Sequence, residues 1–207
     1  MNNQNSKMVY GIGGIVVGLV LAMLFNSTVS SQYRNDGIGM MNGGNNQMIA
    51  SIDKHFIEQM IPHHDGAVAM ANLALKKSKR AEIKTLANAI ITSQTKEIQD
   101  MKGWYKDWFG KNVPEGSTTT MGGGMMSGEG MHSGGSDDMK ALEVASDFDK
   151  VFVEQMIPHH QMAIMMAQML ESGTVRPEML QLAKNIENSQ AEEIKQMQAW
   201  YGQWYQL

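Results

Sequence analysis

The chain contains one segment twice. DKHFIEQMIPHHDGAVAMA, residues 53–71, recurs without a gap as DKVFVEQMIPHHQMAIMMA, residues 149–167, with 13 of 19 positions identical at an offset of 96. The same offset relates residues 90–108 to residues 186–204, so a unit of about 57 residues occurs twice. Any fold for this chain must therefore accommodate two similar halves.

Each copy of the unit predicts two helices. Apolar and small residues recur at steps of three and four, which is the period of one helix face. Ser78 is a candidate N-cap for the second helix, Ser172 and Gly173 predict a helix end, and Pro177 predicts a helix start. The face of the first helix comprises Phe56, Met60, His63, Ala67, Met70, Ala71 and Ala74, and that of the second comprises Leu86, Ile90, Ser93, Glu97, Met101, Trp104 and Trp108.

Two helical hairpins joined by a long linker predict an all-α protein, most simply an antiparallel four-helix bundle, because one hairpin alone has little to bury. The segment before the first hairpin is rich in Gly and Asn, and the segment between the hairpins is rich in Gly, Ser and Met. Neither segment has an apolar period. The predicted organisation is an N-terminal anchor or signal (1–31), a flexible tether (32–50), the first hairpin (51–110), a Gly/Met-rich linker (111–139) and the second hairpin (140–207), with 51–207 forming one bundle domain.

The N-terminal segment predicts export. An uncharged apolar run of 18 residues extends from Met8 to Phe25, a length between that of a secretory signal and that of a membrane-spanning helix. We expect an uncleaved transmembrane anchor, with cleavage after Ser31 as the alternative. Both alternatives place the rest of the chain in the periplasm or on the extracellular face of a bacterial cell envelope, either membrane-anchored or secreted.

Composition narrows the possible functions. A formal net charge of −4 and a pI near 5.8 give no basic surface, so we expect no nucleic-acid partner. The chain has no cysteine, which excludes disulfides and thiolate ligands. It has 21 methionines, so any soft-metal chemistry would use thioether sulfur.

The predicted helix faces bring polar groups into the apolar interior. At 100° per residue, His63 points into the bundle and His64 lies at the edge of the same helix face. On the second helix, Glu97 lies at the centre of the apolar face. Met60 and Glu97 lie at about the same distance from the turn near Ser78. A buried carboxylate requires a partner, so these groups are expected to meet, and the second half repeats the arrangement.

Imidazole together with thioether suits Cu(I), for which silver is a chemical mimic. Pro62 and Pro158 predict a kink beside each histidine pair, because proline removes a backbone donor and clashes with the preceding turn. The linker adds sulfur and imidazole without apolar neighbours, which suggests secondary metal capture by Met121, Met125, Met126, Met131 and His132.

Each of these residues also has a structural interpretation. The histidines could be satisfied polar residues at a kink, and each methionine could simply fill the core. Glu97 and Glu193 could either bind metal directly or hold a histidine tautomer.

The motifs FIEQMIPHH and FVEQMIPHH, each followed by SQxxEIxxMxxWYxxW, resemble the domain-of-unknown-function family 305. The resemblance implies a ferritin-like four-helix bundle, outside the cytoplasm, that binds copper. One departure is His55, whose repeat partner is Val151, and which would allow the halves to differ in metal affinity. The ligands implied by the resemblance are Met60, His63, His64, Glu97 and Met101, with Met156, His159, His160, Glu193 and Met197 in the second half.

The sequence is compatible with three functions. The first is a non-enzymatic protein of copper homeostasis and resistance that sequesters Cu(I), with possible Cu(II) or Ag(I) binding, or exchanges it with an efflux, donor or acceptor protein. The second is a metal-free envelope stress chaperone or interaction module. The third is a di-iron redox enzyme, which needs Glu-x-x-His on two helices, whereas Glu58 and His63 are five residues apart.

Overall fold

The structure, a computed structural model, describes residues 43–114 and 136–205, with side chains described from residues 51 and 138 onward in these two ranges. Within these ranges the chain is all-helical, with five helices and no strand. The helices are α1 (Gly43–Lys77), α2 (Ala81–Phe109), α3 (Ser136–Val144), α4 (Phe148–Glu171) and α5 (Pro177–Tyr205).

The four long helices form a helical bundle built from two hairpins. Helix α1 packs along α2, helix α4 packs along α5, and α1 packs against α4 to join the hairpins. The rings of His63 and His159 meet at this junction, and Ile52 of α1 contacts the backbone at Gly173, just after α4. Helices α1 and α4 therefore run antiparallel to each other.

The apolar core divides into two clusters, one on each side of the histidine crossing. One contains Met60 and Met101 of the first half with Ala163 and Ala167 of the second. The other contains Met156 and Met197 of the second half together with Met70 and neighbouring residues of the first. Because both clusters draw on both halves, the hairpins share one core, and each fully buried Met or Ile contributes about 1.5–3 kcal/mol of hydrophobic free energy.

The helix ends follow the predictions in part. Helix α4 ends at Glu171 and α5 begins at Pro177, which confirms the predicted stop and start. A Cβ at Gly173 would lie 2.6 Å from Ile52 Cδ1, so glycine allows this close approach. The prediction for Ser78 is wrong, because α2 begins at Ala81 and Ser78 Oγ instead accepts a hydrogen bond from the Arg80 backbone in the preceding turn, at 3.1 Å.

Helices extend past two predicted boundaries. Helix α1 begins at Gly43, inside the predicted tether 32–50, and α3 begins at Ser136, inside the predicted linker 111–139. Adding residues to an existing helix forms one hydrogen bond per residue, which offsets the weak helix propensity of Gly and Asn. In α3 the buried Leu142 belongs to the core, and one apolar contact in a helix of 9 residues gives no clear period in the sequence.

Several predictions concern residues 1–42 and 115–135, outside the described residues. These are the apolar run Met8–Phe25, cleavage after Ser31, most of the tether, and the five residues predicted for secondary capture. They stay predictions. Of the helices that the structure does describe, none combines the length and apolar character needed to cross a bilayer.

Candidate metal centre

Four histidines lie buried where α1 crosses α4. Of the five histidines that the structure describes, His63, His64, His159 and His160 are buried and His55 is exposed. The rings of His63 and His159, one from each half, have centroids 3.7 Å apart and planes inclined at 40°. Each lies 6.3–6.4 Å from the ring of its sequence neighbour. A single chain thus brings the two predicted histidine pairs together.

The outer histidine of each pair is bonded to a glutamate of the neighbouring helix. His64 Nε2 lies 2.6 Å from Glu97 Oε2, and His160 Nε2 lies 2.7 Å from Glu193 Oε2. A carboxylate can only accept, so Nε2 carries a proton, and in the neutral form of the ring Nδ1 then has the lone pair. Of the two roles weighed for Glu97 and Glu193, this geometry favours holding the histidine tautomer, as carboxylates do beside metal-binding imidazoles.

Six nitrogens of the four buried rings have no hydrogen-bond partner. They are both ring nitrogens of His63 and of His159, and Nδ1 of His64 and of His160. A buried polar atom without a partner costs about 1–3 kcal/mol. The contacts of His63 and His159 therefore give no support to their interpretation as satisfied polar residues, and a nitrogen lone pair left free in this way is what a metal ion requires.

The environment keeps the imidazole rings of His63 and His159 neutral. Burial, followed by repulsion from His64 and His160, lowers the pKa of His63 to about 3. Burial likewise lowers the pKa of His159 well below its usual value, reinforced by His63, His160 and His64 and only partly offset by the nearby backbone of His63. Neutral imidazole is the form that binds metals, so this centre presents ligands rather than cations.

The predicted methionine ligands are buried on both sides of the histidines. Met60 and Met101 belong to one core cluster, and Met156 and Met197 to the other. This burial fits both core packing and ligation, so ligation by these sulfurs stays a prediction. In the described ranges, no group of three or more His, Asp or Glu side chains is arranged to hold a metal ion.

Helices α1 and α4 continue through Pro62 and Pro158, which precede the two histidine pairs. Each proline removes one backbone donor four residues after Glu58 or Glu154. The kink predicted there stays a prediction.

The repeated EQMIPHH motif also contains a residue whose role the sequence reading missed. Glu58 accepts a 2.5 Å hydrogen bond from the hydroxyl of Tyr105, and Glu154 accepts one from Tyr201. Burial and Glu58 raise the pKa of Tyr105 to about 12, and the hydrogen bond to Glu154 is the main cause that raises the pKa of Tyr201 to about 12. These bonds tie each histidine helix to its hairpin partner.

Buried aspartates join the two hairpins at the bundle ends. Asp53 Oδ2 accepts a 3.0 Å hydrogen bond from Arg176 Nε, and the guanidinium of Arg176 lies 4.1 Å from the centre of the Trp108 ring. Burial raises the pKa of Asp53, and this rise is partly offset by the hydrogen bond with Thr174 and by the charge of Arg176. The matching set in the other half is Asp149, Arg80 and Trp204. Trp108 and Trp204 thus pack against the arginines at the bundle ends.

A helical bundle with buried, unpartnered imidazoles and nearby thioethers defines a class of candidate soft-metal proteins. The profile of the family described as "Domain of unknown function (DUF305)" matches residues 53–201. The chain belongs to the DUF305 family.

Solved structures agree with this assignment. CopM in the Cu(II)-bound form is 48% identical, with a TM-score of 0.65, over 74% of this chain and 97% of that one. CopM in the Cu(I)-bound form is 45% identical, with a TM-score of 0.63 and the same coverage. A DUF305 fragment from Deinococcus radiodurans is 25% identical, with a TM-score of 0.62, over 73% of this chain and 96% of that one.

A curated relative matches only a short segment. Uncharacterized protein L153 of Acanthamoeba polyphaga mimivirus is 43% identical over 49 residues, which is 24% of this chain. The match spans 32% of that relative, about a third of its length.

Proposed function

We propose that this chain is a non-enzymatic, exported copper-binding protein that sequesters or hands over Cu(I). The observation that carries the proposal is the set of six unpartnered nitrogens on four buried imidazoles, contributed equally by the two halves. The similarity to CopM, solved in Cu(II)-, Cu(I)- and Ag-bound forms, supports copper as the ion.

The donor set favours the monovalent ion. His63 and His159 present neutral rings in contact across the bundle, and buried methionines belong to the core on both sides. Soft thioether ligands select Cu(I), and imidazole accepts it. We infer that His63 and His159 bind the ion first, with the Nδ1 atoms of His64 and His160 and the sulfurs of Met60, Met101, Met156 and Met197 as further donors.

Export is part of the proposal. The apolar run Met8–Phe25 supports it, and so does the use of methionine in a chain without cysteine, because thiols are lost to disulfides in oxidising compartments. Fractionation of cells, followed by N-terminal sequencing of the mature chain, tests this part. Recovery of the intact chain in the cytosol would contradict it.

The binding claim is tested on the full chain in detergent micelles. Titration with Ag(I) or Cu(I) should give at least one site with a Kd tighter than about 1 µM, which corresponds to about 8 kcal/mol. His63→Ala/His159→Ala should abolish that site while the helical content stays unchanged. The matched control is His55→Ala, an exposed histidine that bonds Gln59 at 2.9 Å and lies outside the buried set.

Two outcomes would contradict the proposal. One is a parent protein without any site tighter than about 1 µM. The other is a double variant that keeps the parent's affinity. Unfolding of the double variant would be recognised from circular dichroism, and His63→Gln/His159→Gln, which retains polar side chains, then repeats the test.

A further inference from the structure

Helix α4 exposes a line of methionines after its histidine pair, which we call the methionine stripe: Met162, Met165, Met166 and Met169. Their spacing of three, four and seven residues places them along one side of the helix. Met165 is 42% exposed and Met169 is 66% exposed, while Met162 and Met166 are half-buried. Sulfur is therefore presented to solvent within about 14 Å along the helix from His160.

The fold does not require methionine at these positions. The corresponding residues of the first half are Gly66, Ala69, Met70 and Leu73, and that half forms the same hairpin with the same histidine–glutamate bond. Of these four, the only methionine is Met70, which is buried in the core. The exposed pair Met165 and Met169 thus has no sulfur counterpart in α1, and core packing does not explain it.

We propose that the methionine stripe is a second, solvent-exposed binding site for a soft monovalent cation, Cu(I) or its mimic Ag(I). Residues four apart on a helix have Cβ atoms about 5–6 Å apart, and the flexible methionine side chain lets two such sulfurs reach one ion. Thioether sulfur carries no proton, so the site is available without deprotonation. The site extends the proposed function, because it offers an ion from solvent a ligand set close to the buried histidines.

A purely apolar docking role fits the surface less well. The exposed part of the stripe consists of two side chains, and the polar Gln161 and Gln168 on the same helix are also exposed. The exposed methionines therefore alternate with amide groups and do not form the contiguous apolar patch that marks a protein-binding site. The feature that the four residues of the stripe share is a thioether sulfur.

The test uses the full chain in detergent micelles with methionine methyl groups labelled with ¹³C, titrated with Ag(I). The methyl resonances of Met165 and Met169 should shift in a saturable manner. Met165→Leu/Met169→Leu should bind one Ag(I) fewer per chain by native mass spectrometry, while the affinity of the buried site stays within about twofold of the parent's. Leucine keeps the apolar surface and the helix propensity, so this exchange removes sulfur alone.

The matched control is Met70→Leu/Met179→Leu, which removes two buried core sulfurs and should keep both the shifts and the stoichiometry. In His63→Ala/His159→Ala the stripe shifts should persist, so failure of the buried site and failure of the stripe are distinguishable. Methyl resonances that do not respond to Ag(I) would overturn the inference. Unchanged stoichiometry in the leucine variant would also overturn it and would assign the stripe to apolar contact with another protein.

Discussion

The two halves of the chain agree at the histidines and differ at the bundle ends and on the surface. The bonds from His64 to Glu97 and from His160 to Glu193 measure 2.6 and 2.7 Å. At the bundle ends the corresponding Arg–Asp distances are 3.0 Å for Arg176 and 3.8 Å for Arg80. On the surface, one half exposes methionine where the other has Ala69 and Leu73. The geometry around the buried histidines is therefore the same in the two halves, whereas the bundle ends and the surface vary.

Removing one histidine at a time tests most severely whether the two halves contribute equally to one site. Because the rings of His63 and His159 lie 3.7 Å apart and would share one ion, either single Ala variant should lower Ag(I) affinity by about 100-fold or more. Competition titration measures both affinities. A large loss for one variant with little change for the other would show that the halves bind separately.

Acid should destabilise the metal-free protein through the same pair. The folded-state pKa of His63 is about 3 and that of His159 is also lowered, so between pH 6.5 and about 3 the unfolded chain binds more protons than the folded one. Folding stability should therefore fall as the pH drops below 6.5, by up to about 2.7 kcal/mol per pH unit for two groups.

Urea unfolding of the metal-free parent and of His63→Gln/His159→Gln at several pH values isolates this contribution, because the carboxylates common to both proteins cancel. The variant should show a shallower loss of stability below pH 6.5. An equal pH dependence of the unfolding free energy in the two proteins would mean that His63 and His159 are not held in the neutral form by burial.

Replacing each glutamate tests whether the two histidine–glutamate pairs contribute equally to Ag(I) binding. Glu97→Gln and Glu193→Gln should each weaken Ag(I) binding by about 10–100-fold, because an amide no longer fixes the proton on Nε2 of His64 or His160. The two losses should agree within about threefold, since the two bonds have nearly the same length. A ligand role for only one glutamate would instead produce clearly unequal losses.

The bundle ends should give the smallest and least symmetric effects. Arg176→Ala removes a 3.0 Å hydrogen bond to the buried Asp53 and should cost about 2–3 kcal/mol of unfolding free energy. Arg80→Ala removes a looser 3.8 Å ion pair and a contact over Trp204, and should cost about 1 kcal/mol. Urea titration compares them, and equal costs would contradict the structural asymmetry.

Much of the fold could be predicted from the sequence because the repeat gives the helical period twice. The pairing of the helices into hairpins and the end of α4 just before Ser172 follow from the local sequence pattern. Helix α3 could not be predicted, since its position depends on Leu142 entering the core of the bundle. The start of α2 was misplaced because a serine before a helix can close a turn as readily as cap the helix.

The position of the histidines and glutamates could be predicted in part from the sequence, and the contacts that they make could be predicted less well. The repeat selected the histidines and glutamates, but only their packing shows that Nε2 of His64 is bonded to Glu97 while the rings of His63 and His159 meet. Which nitrogen is free depends on contacts between helices, which spacing along one helix does not determine. The roles of Glu58 and Asp53 depend on partners more than 40 residues away, Tyr105 at a separation of 47 and Arg176 at 123.

Anomalous scattering from a crystal of the protein loaded with Ag(I) or Cu(I) tests the central claim most directly. We predict a strong peak within one chain, in contact with a ring nitrogen of His63 and one of His159. Peaks confined to exposed groups, with the rings of the two histidines still in contact and unliganded, would contradict the proposal of a shared buried centre.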